Sequence, residues 1–294
     1  MAVHDLQWNI GSHVQWNKTF ENTISFAIKN GMYAFQVFMG NPKSFNRSVI
    51  SKEDIDKAKK LLERFPTFVF THSPYLYNLA GSKDILAWNG DTDQDNKTLN
   101  VIKSLEYELN IVSNFNIKGN GVILHPGNHI DRHKGLLTIA KSISMINFDE
   151  NAKLLLENTA GQGTSLGTTF KELKTIYDNV VSEKQKYIGI CVDTAHIFGY
   201  GEYDISKVSE VERMFTEFTD LFDISMLKLI HLNDSKVPLK SRKDRHELIG
   251  EGLIWGKNMD SLFYLLEYCK VNNIPLVLET NPSDMHKFFN LSKK

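Results

Sequence analysis

Six short apolar runs in this chain end on a side chain that an apolar environment rejects: TFVFTH, GVILHP, KLLLEN, IGICVD, LKLIHLND and PLVLET. An imidazole or carboxylate closing a buried strand is costly unless something charged meets it there. Six such endings in one chain point to one shared site. With the loops that follow, they collect nine metal-type side chains: His72, His125, Glu157, Asp193, His196, His231, Asp244, His246 and Glu279. Nine nitrogen and oxygen donors exceed the needs of one ion. The pattern therefore suggests an enzyme with a cluster of about three divalent metals, zinc by preference.

The same runs constrain the fold. Residues 8–14, 34–39, 67–72, 121–125, 153–157, 187–193, 228–232 and 275–279 form eight apolar, β-branched segments. Between them lie amphipathic stretches with helical spacing, among them SKEDIDKAKKLLERF, KTLNVIKSLEYELNIVSNF, FKELKTIYDNVV and MDSLFYLLEYCKVNN. Ser51 with Asp54 reads as a helix start. Eight strands alternating with helices over 294 residues predict an α/β chain folded as one closed parallel (β/α)8 TIM barrel, a single domain over 1–294. The strands are almost continuously apolar, as buried parallel strands are. An open doubly wound sheet is the alternative. It binds ligand at one switch point and gives no reason to place ligands on six strand ends. In a barrel the active site sits at the C-terminal ends of the strands, and every candidate ligand falls there or in the following loop. Segment 79–98 is the most loop-like and is expected near the same rim. The last residues, LSKK, are expected to fray.

Composition narrows the partners. The hydrophobic share of 41% and charged share of 23% suit a packed core. No run approaches the roughly 18 apolar residues of a membrane span, and the N-terminus lacks the layout of a secretory signal. Cys191 and Cys269 are the only cysteines, too few for a disulfide framework or a Cys-rich zinc module. A reducing compartment follows, cytosol or nucleus, or a virion if the plentiful Asn, Lys and Ile reflect an AT-rich viral genome. Net charge is −1, so no global basic field attracts nucleic acid. One local patch does: Lys236, Lys240, Arg242, Lys243 and Arg245 lie between His231 and His246.

A single His after a strand is more often a hydrogen-bonded structural residue than a ligand, and the case here rests on joint occurrence. His4, His129, His133 and His286 are left as surface residues, and His13 could support the ligands from behind. Glu157 ends a strand near the middle of the set, where a carboxylate can bridge two ions, and its glycine-rich loop can approach a ligand closely. The spacing of three in DTAH lets Asp193 and His196 feed neighbouring metals. Asp244 and His246 alternate in an extended loop and can point one way.

These segments resemble the endonuclease IV family of zinc-dependent apurinic/apyrimidinic endonucleases. HSPYLYNLA (72–80), IGICVDTAH (188–196) and LIHLNDSKVPLKSRKDRH (229–246) are similar to its three signatures. NIGSHV, ENTAGQGTSLG and HELIGEG also look like family segments. Ala195, Lys240 and Tyr77 depart from the usual pattern, Lys240 replacing a glycine, and Lys43 stands where relatives carry Arg.

The resemblance implies three zinc ions: one on His72, His125 and Glu157, a second on Glu157, Asp193, His231 and Glu279, and a third on His196, Asp244 and His246. It implies incision of duplex DNA 5′ to abasic sites by a chain acting as a monomer, with cleaning of blocked 3′ ends as a companion activity. Glu157 and Glu279 are the expected catalytic carboxylates. Lys43 in the loop 40–45, Tyr75 and Leu76 are expected to probe the DNA, and Lys236, Arg242 and Arg245 to meet phosphates. Two rivals remain at this point. A single-metal TIM-barrel sugar isomerase or epimerase would use Glu157, Asp193, His231 and Glu279 but leave five ligands idle. A non-catalytic binding relative would be expected to have lost ligands.

Overall fold

The computed structural model describes residues 8–81, 93–115, 117, 119–282 and 284–285. Eight parallel strands close into a barrel. In chain order these are β1 (Ile10–His13), β2 (Ala34–Val37), β3 (Phe68–His72), β4 (Gly121–Leu124), β5 (Lys153–Glu157), β6 (Ile188–Asp193), β7 (Leu227–His231) and β10 (Leu276–Leu278). A two-residue hairpin, β8 (Asp234–Ser235) with β9 (His246–Glu247), stands outside the barrel after β7. The helices are α1 (Phe20–Lys29), α2 (Lys52–Arg64), α3 (Asp93–Ser113), α4 (Arg132–Met145), α5 (Phe170–Asn179), α6 (Ser182–Gln185), α7 (Thr194–Tyr200), α8 (Val208–Leu221) and α9 (Asp260–Val271). All eight expected strands are present. No described helix is long and apolar enough to cross a membrane.

Helix starts follow local chemistry. Ser51 Oγ accepts the Asp54 amide at 3.1 Å and begins α2. The Asp54 carboxylate does not close a box on its own helix. It accepts the Phe20 and Glu21 amides at 2.8 and 2.9 Å, so a residue of α2 caps α1. The loop expected over 79–98 is shorter than the sequence suggested, because α3 already begins at Asp93. Residues 82–92 of that segment, and the LSKK terminus, lie outside the described residues.

Strand period places the site. Ala34, Phe70, Ile123, Leu155, Cys191, Leu229 and Val277 form a separate, fully buried cluster. They come from seven barrel strands, one each, and make an apolar layer inside the barrel. Side chains alternate across a strand, so the residues two positions further on project into the barrel one layer up. Those are Gln36, His72, His125, Glu157, Asp193, His231 and Glu279. The barrel thus carries an apolar floor with a ring of polar groups above it, at the C-terminal mouth.

Candidate metal centre

Glu157, at the end of β5, is the hub. Its Oε2 lies 3.2 Å from His72 Nε2 and 3.1 Å from His125 Nε2. Its Oε1 lies 3.0 Å from His231 Nδ1 and 3.4 Å from His196 Nδ1. His231 Nδ1 also faces Glu279 Oε2 at 3.5 Å and Asp193 Oδ2 at 3.9 Å. Asp244 receives two rings, His196 Nε2 at 3.2 Å and His246 Nε2 at 3.0 Å. His246 further approaches Asp193 at 3.6 Å and Glu279 at 3.7 Å. Ligand atoms within 4.8 Å of one another define the groups His72–His125–Glu157, Glu157–Asp193–His231–Glu279 and Asp193–His196–His246. All nine side chains picked from the sequence therefore converge at one mouth.

The local folding of the DTAH segment explains its spacing. Asp193 is the N-cap of α7, and its Oδ1 accepts the His196 amide at 2.7 Å. The cap holds His196 one helical turn from the strand end, while the second carboxylate oxygen faces the cluster. The hairpin brings in Asp244 and His246. It is fixed by Asp234, whose buried carboxylate accepts the amides of Gly250, Gly252 and Ile254 at 3.0, 3.2 and 2.9 Å.

The hydrogen bonds behind these side chains fix which ring nitrogen of each imidazole faces the cluster. His72 Nδ1 donates to the Ser73 carbonyl at 2.7 Å, and His196 Nδ1 to the Asn158 carbonyl at 2.8 Å. His231 Nε2 donates to Gln36 Oε1 at 2.6 Å. A carbonyl or amide oxygen only accepts, so each neutral ring has spent its one hydrogen. The remaining lone pairs point at carboxylate oxygens. That arrangement repels unless a proton or a cation lies between. His196 Nε2 and His246 Nε2 are also buried without a hydrogen-bond partner. The donor set, four carboxylates with imidazoles tautomerically fixed from behind, fits divalent metal ions such as zinc.

Two supports were not foreseen from the sequence. Gln36 is fully buried. Besides His231 it reaches Glu279 Oε1 at 2.7 Å and His13 Nδ1 at 3.2 Å. Asn233 donates to Asp193 Oδ2 at 2.6 Å and Glu279 Oε2 at 3.0 Å, and its Oδ1 accepts the Glu279 amide at 3.0 Å. The alternation of β2 above Ala34 is the signal that could have exposed Gln36.

Protonation follows burial and neighbours. Burial would raise the Glu157 carboxyl, but the His125 and His231 imidazoles hold it well below the ordinary range. Glu279 is lowered to about 2, with burial opposed by His231 and His246. Burial raises Asp193 against the pull of His196 and His246. His246 rises to about 9, since Asp193 and Asp244 outweigh burial. His196 and His231 are also raised despite burial. His13 falls to about 4 through burial, which suits a neutral ring behind Gln36. Cys191 lies near Glu157 and His231, and burial pushes its thiol up to about 12.

The residues expected to meet DNA are at least partly exposed around the same mouth: Lys43, Tyr75, Leu76, Lys236, Arg242 and Arg245. The Tyr75 ring lies 5.7 Å from His72 and 6.0 Å from His125, and its amide donates to the Pro42 carbonyl at 3.1 Å. Lys236 pairs loosely with Glu247 at 3.7 Å, and Arg242 covers the Tyr200 ring. Lys240 has φ 64°, which explains a glycine preference there. Its side chain occupies space that Gly201, lacking a Cβ, leaves open. Tyr77 is buried and stacks on Phe45 at 5.6 Å.

Known proteins place the chain. Residues 24–287 match the xylose isomerase-like TIM barrel family. The probable endonuclease 4 of Methanosphaera stadtmanae is 32% identical over 96% of this chain and 95% of its own length. That of Clostridium botulinum is 32% identical over 95% of each. Among solved structures, endonuclease IV from Thermus thermophilus superposes with a TM-score of 0.77 at 22% identity, covering 96% of this chain and 97% of that one. A D-tagatose 3-epimerase-like protein shares the fold with a TM-score of 0.65 at 17% identity over 96% of each chain. The near full-length identity to the two endonuclease 4 sequences, above that level of fold likeness, makes this chain a member of the endonuclease IV family within the xylose isomerase-like TIM barrels.

Proposed function

We propose that this chain is a metal-dependent DNA-repair endonuclease. It hydrolyses the phosphodiester 5′ to abasic sites in duplex DNA, leaves 3′-hydroxyl and 5′-deoxyribose-phosphate ends, and also trims blocked 3′ termini. One observation carries the reading: nine imidazole and carboxylate side chains, from six strand ends, the first turn of α7 and one hairpin, meet in overlapping groups at a single mouth.

His72, His125 and Glu157 would hold a first zinc, Glu157, Asp193, His231 and Glu279 a second, and His196, Asp244 and His246 a third. When bound, the ions supply Lewis-acid charge against the phosphate anion and acidify a water near neutral pH. The chain's own part is to fix that charge. Gln36 and Asn233 stop the Glu279 and Asp193 carboxylates from rotating, so little reorganisation accompanies reaction. Glu157 and Glu279 touch the reacting centre. An abasic nucleotide unstacks cheaply, and Tyr75 and Leu76 stand beside the site to fill the vacated stack, with Lys43 on the adjoining loop. Lys236, Arg242 and Arg245 meet backbone phosphates.

The test is incision of a duplex with one tetrahydrofuran abasic analogue, with and without chelator, reading the end chemistry. Chelation abolishes incision and zinc restores it. Full turnover by protein shown metal-free by elemental analysis removes the reading. The sugar isomerase or epimerase reading keeps one specific support, the compact group Glu157–Asp193–His231–Glu279. Metal content separates the two, about three zincs for the nuclease and one for the isomerase.

A further inference from the structure

A cavity of about 740 Å³ lies between the loop after β2 and helix α3. Asn46, Arg47, Lys97, Asn100, Lys103 and Ser104 line it, and its described lining carries no carboxylate. Lys97, Asn100 and Ser104 share one face of α3 by their spacing. Lys97 and Lys103 are exposed. Arg47 is different, because its side chain is only 6% exposed. Its Nη2 holds the Asn41 carbonyl at 3.0 Å and that of Ser44. Its Nε and Nη1 have no hydrogen-bond partner. The nearest counter-charge is Glu108 Oε1, 3.8 Å from Nη1 and beyond hydrogen-bond reach. Arg47 thus puts a buried positive charge, partly offset by Glu108, behind two exposed lysines and three neutral polar side chains, a lining that suits a phosphate oxyanion.

Position narrows the source of that phosphate. Helix α3 follows β3 and descends from the mouth, so its first half stands at the rim. The loop carrying Arg47 is tied to Tyr75 through Pro42. In the closed strand order β3 is four strands from β7 in either direction. The cavity therefore lies on the side of the barrel opposite Lys236, Arg242 and Arg245. A duplex lying over the cluster from one side to the other would bring one flank to the hairpin and the other to the cavity.

We propose that this cavity is a non-catalytic phosphodiester subsite, holding a backbone phosphate of the DNA flanking the lesion. The inference rests on the endonuclease reading. The decisive variant is Lys97→Gln with Lys103→Gln in the full zinc-loaded chain. Both side chains are exposed, so the fold does not depend on them. Binding to an abasic-analogue duplex is measured over a salt series. Each phosphate contact contributes about 0.9 to the slope of log affinity against log salt. With one phosphate lost, the slope of the variant should shrink by about 0.9, and KM at fixed salt should rise. Duplexes truncated one flank at a time should restore parity between variant and parent once the flank over the cavity is gone. An unchanged slope, or an equal deficit on every truncated duplex, overturns the proposal. Protection of the parent, but not the variant, by inorganic phosphate alone, with no change in slope, would make this a small-anion site and overturn the DNA assignment. Failure of the parent to incise would remove the endonuclease reading itself, a separate outcome.

Discussion

Replacing Gln36 by Met tests whether the metal centre is held from behind as its hydrogen bonds indicate. Methionine keeps the length and volume of the buried side chain, so cavity effects stay small. It removes the acceptor for His231 Nε2 at 2.6 Å and the donor to Glu279 Oε1 at 2.7 Å. Each orphaned buried group costs about 1–3 kcal/mol, the charged carboxylate toward the upper end. The metal-free protein should therefore lose about 2–6 kcal/mol of unfolding free energy in urea. The sharper effect concerns metal. Loss of a supporting partner typically lowers metal affinity about 10–100-fold. Only the ion held by His231 and Glu279 should suffer, because His72 and His196 keep their own carbonyl partners. Zinc release under graded chelator should show one ion leaving early while the others follow the parental curve. Parental release of every ion, with stability alone reduced, would mean that Gln36 is a satisfied core amide and that the ligands need no such support.

Three further outcomes follow from the same geometry. Glu279→Gln should retain fold while cutting incision by orders of magnitude, measured at saturating duplex; parental turnover would strike it from the reacting groups. Tyr75→Ala should weaken binding to abasic duplex more than to intact duplex in a fluorescence anisotropy titration, and equal losses would refute a wedge role. Metal-free protein should lose stability as pH rises from 7 to 9.5. His246 is raised to about 9 from an unfolded value near 6.5, so its contribution of about 3 kcal/mol is complete below the unfolded value and lost as pH passes the folded one. The zinc-loaded protein should not follow that fall, because metal replaces the proton between ring and carboxylate. Urea titrations at fixed pH, with and without chelator, check both, and a metal-free protein that gains stability over this range contradicts the ring assignments.

The sequence exposed what lies along single strands and hid what depends on closing the barrel. An apolar run broken by His or Glu is visible without a fold, so His72, Glu157 and His231 were legible as strand ends. Gln36 obeys the same alternation above Ala34, yet AFQVF reads as a nearly uninterrupted apolar run, and only the register with β1 and β3 shows it entering the polar ring. Asn158 and Asn233 looked like loop residues. Their amides bind across strands, to Asp193 from either side, and no local spacing encodes that. The spacing of Asp193 and His196 was legible but not its cause, since a capping aspartate and a ligand pair have the same signature until the helix is seen. Asp54 does more than mark a helix start: its amide bonds Ser51 as the spacing indicates, while its carboxylate serves α1. Arg47 and Glu108 left no trace in sequence at all, because a charged residue in a loop and another in a helix are ordinary until packing buries them together. Local pattern thus identifies groups that cannot be left unpaired. Which partner satisfies each is decided by the curvature that brings β3 across from β7 and the end of β10 beside β7, and that information is carried by the whole ring of strands.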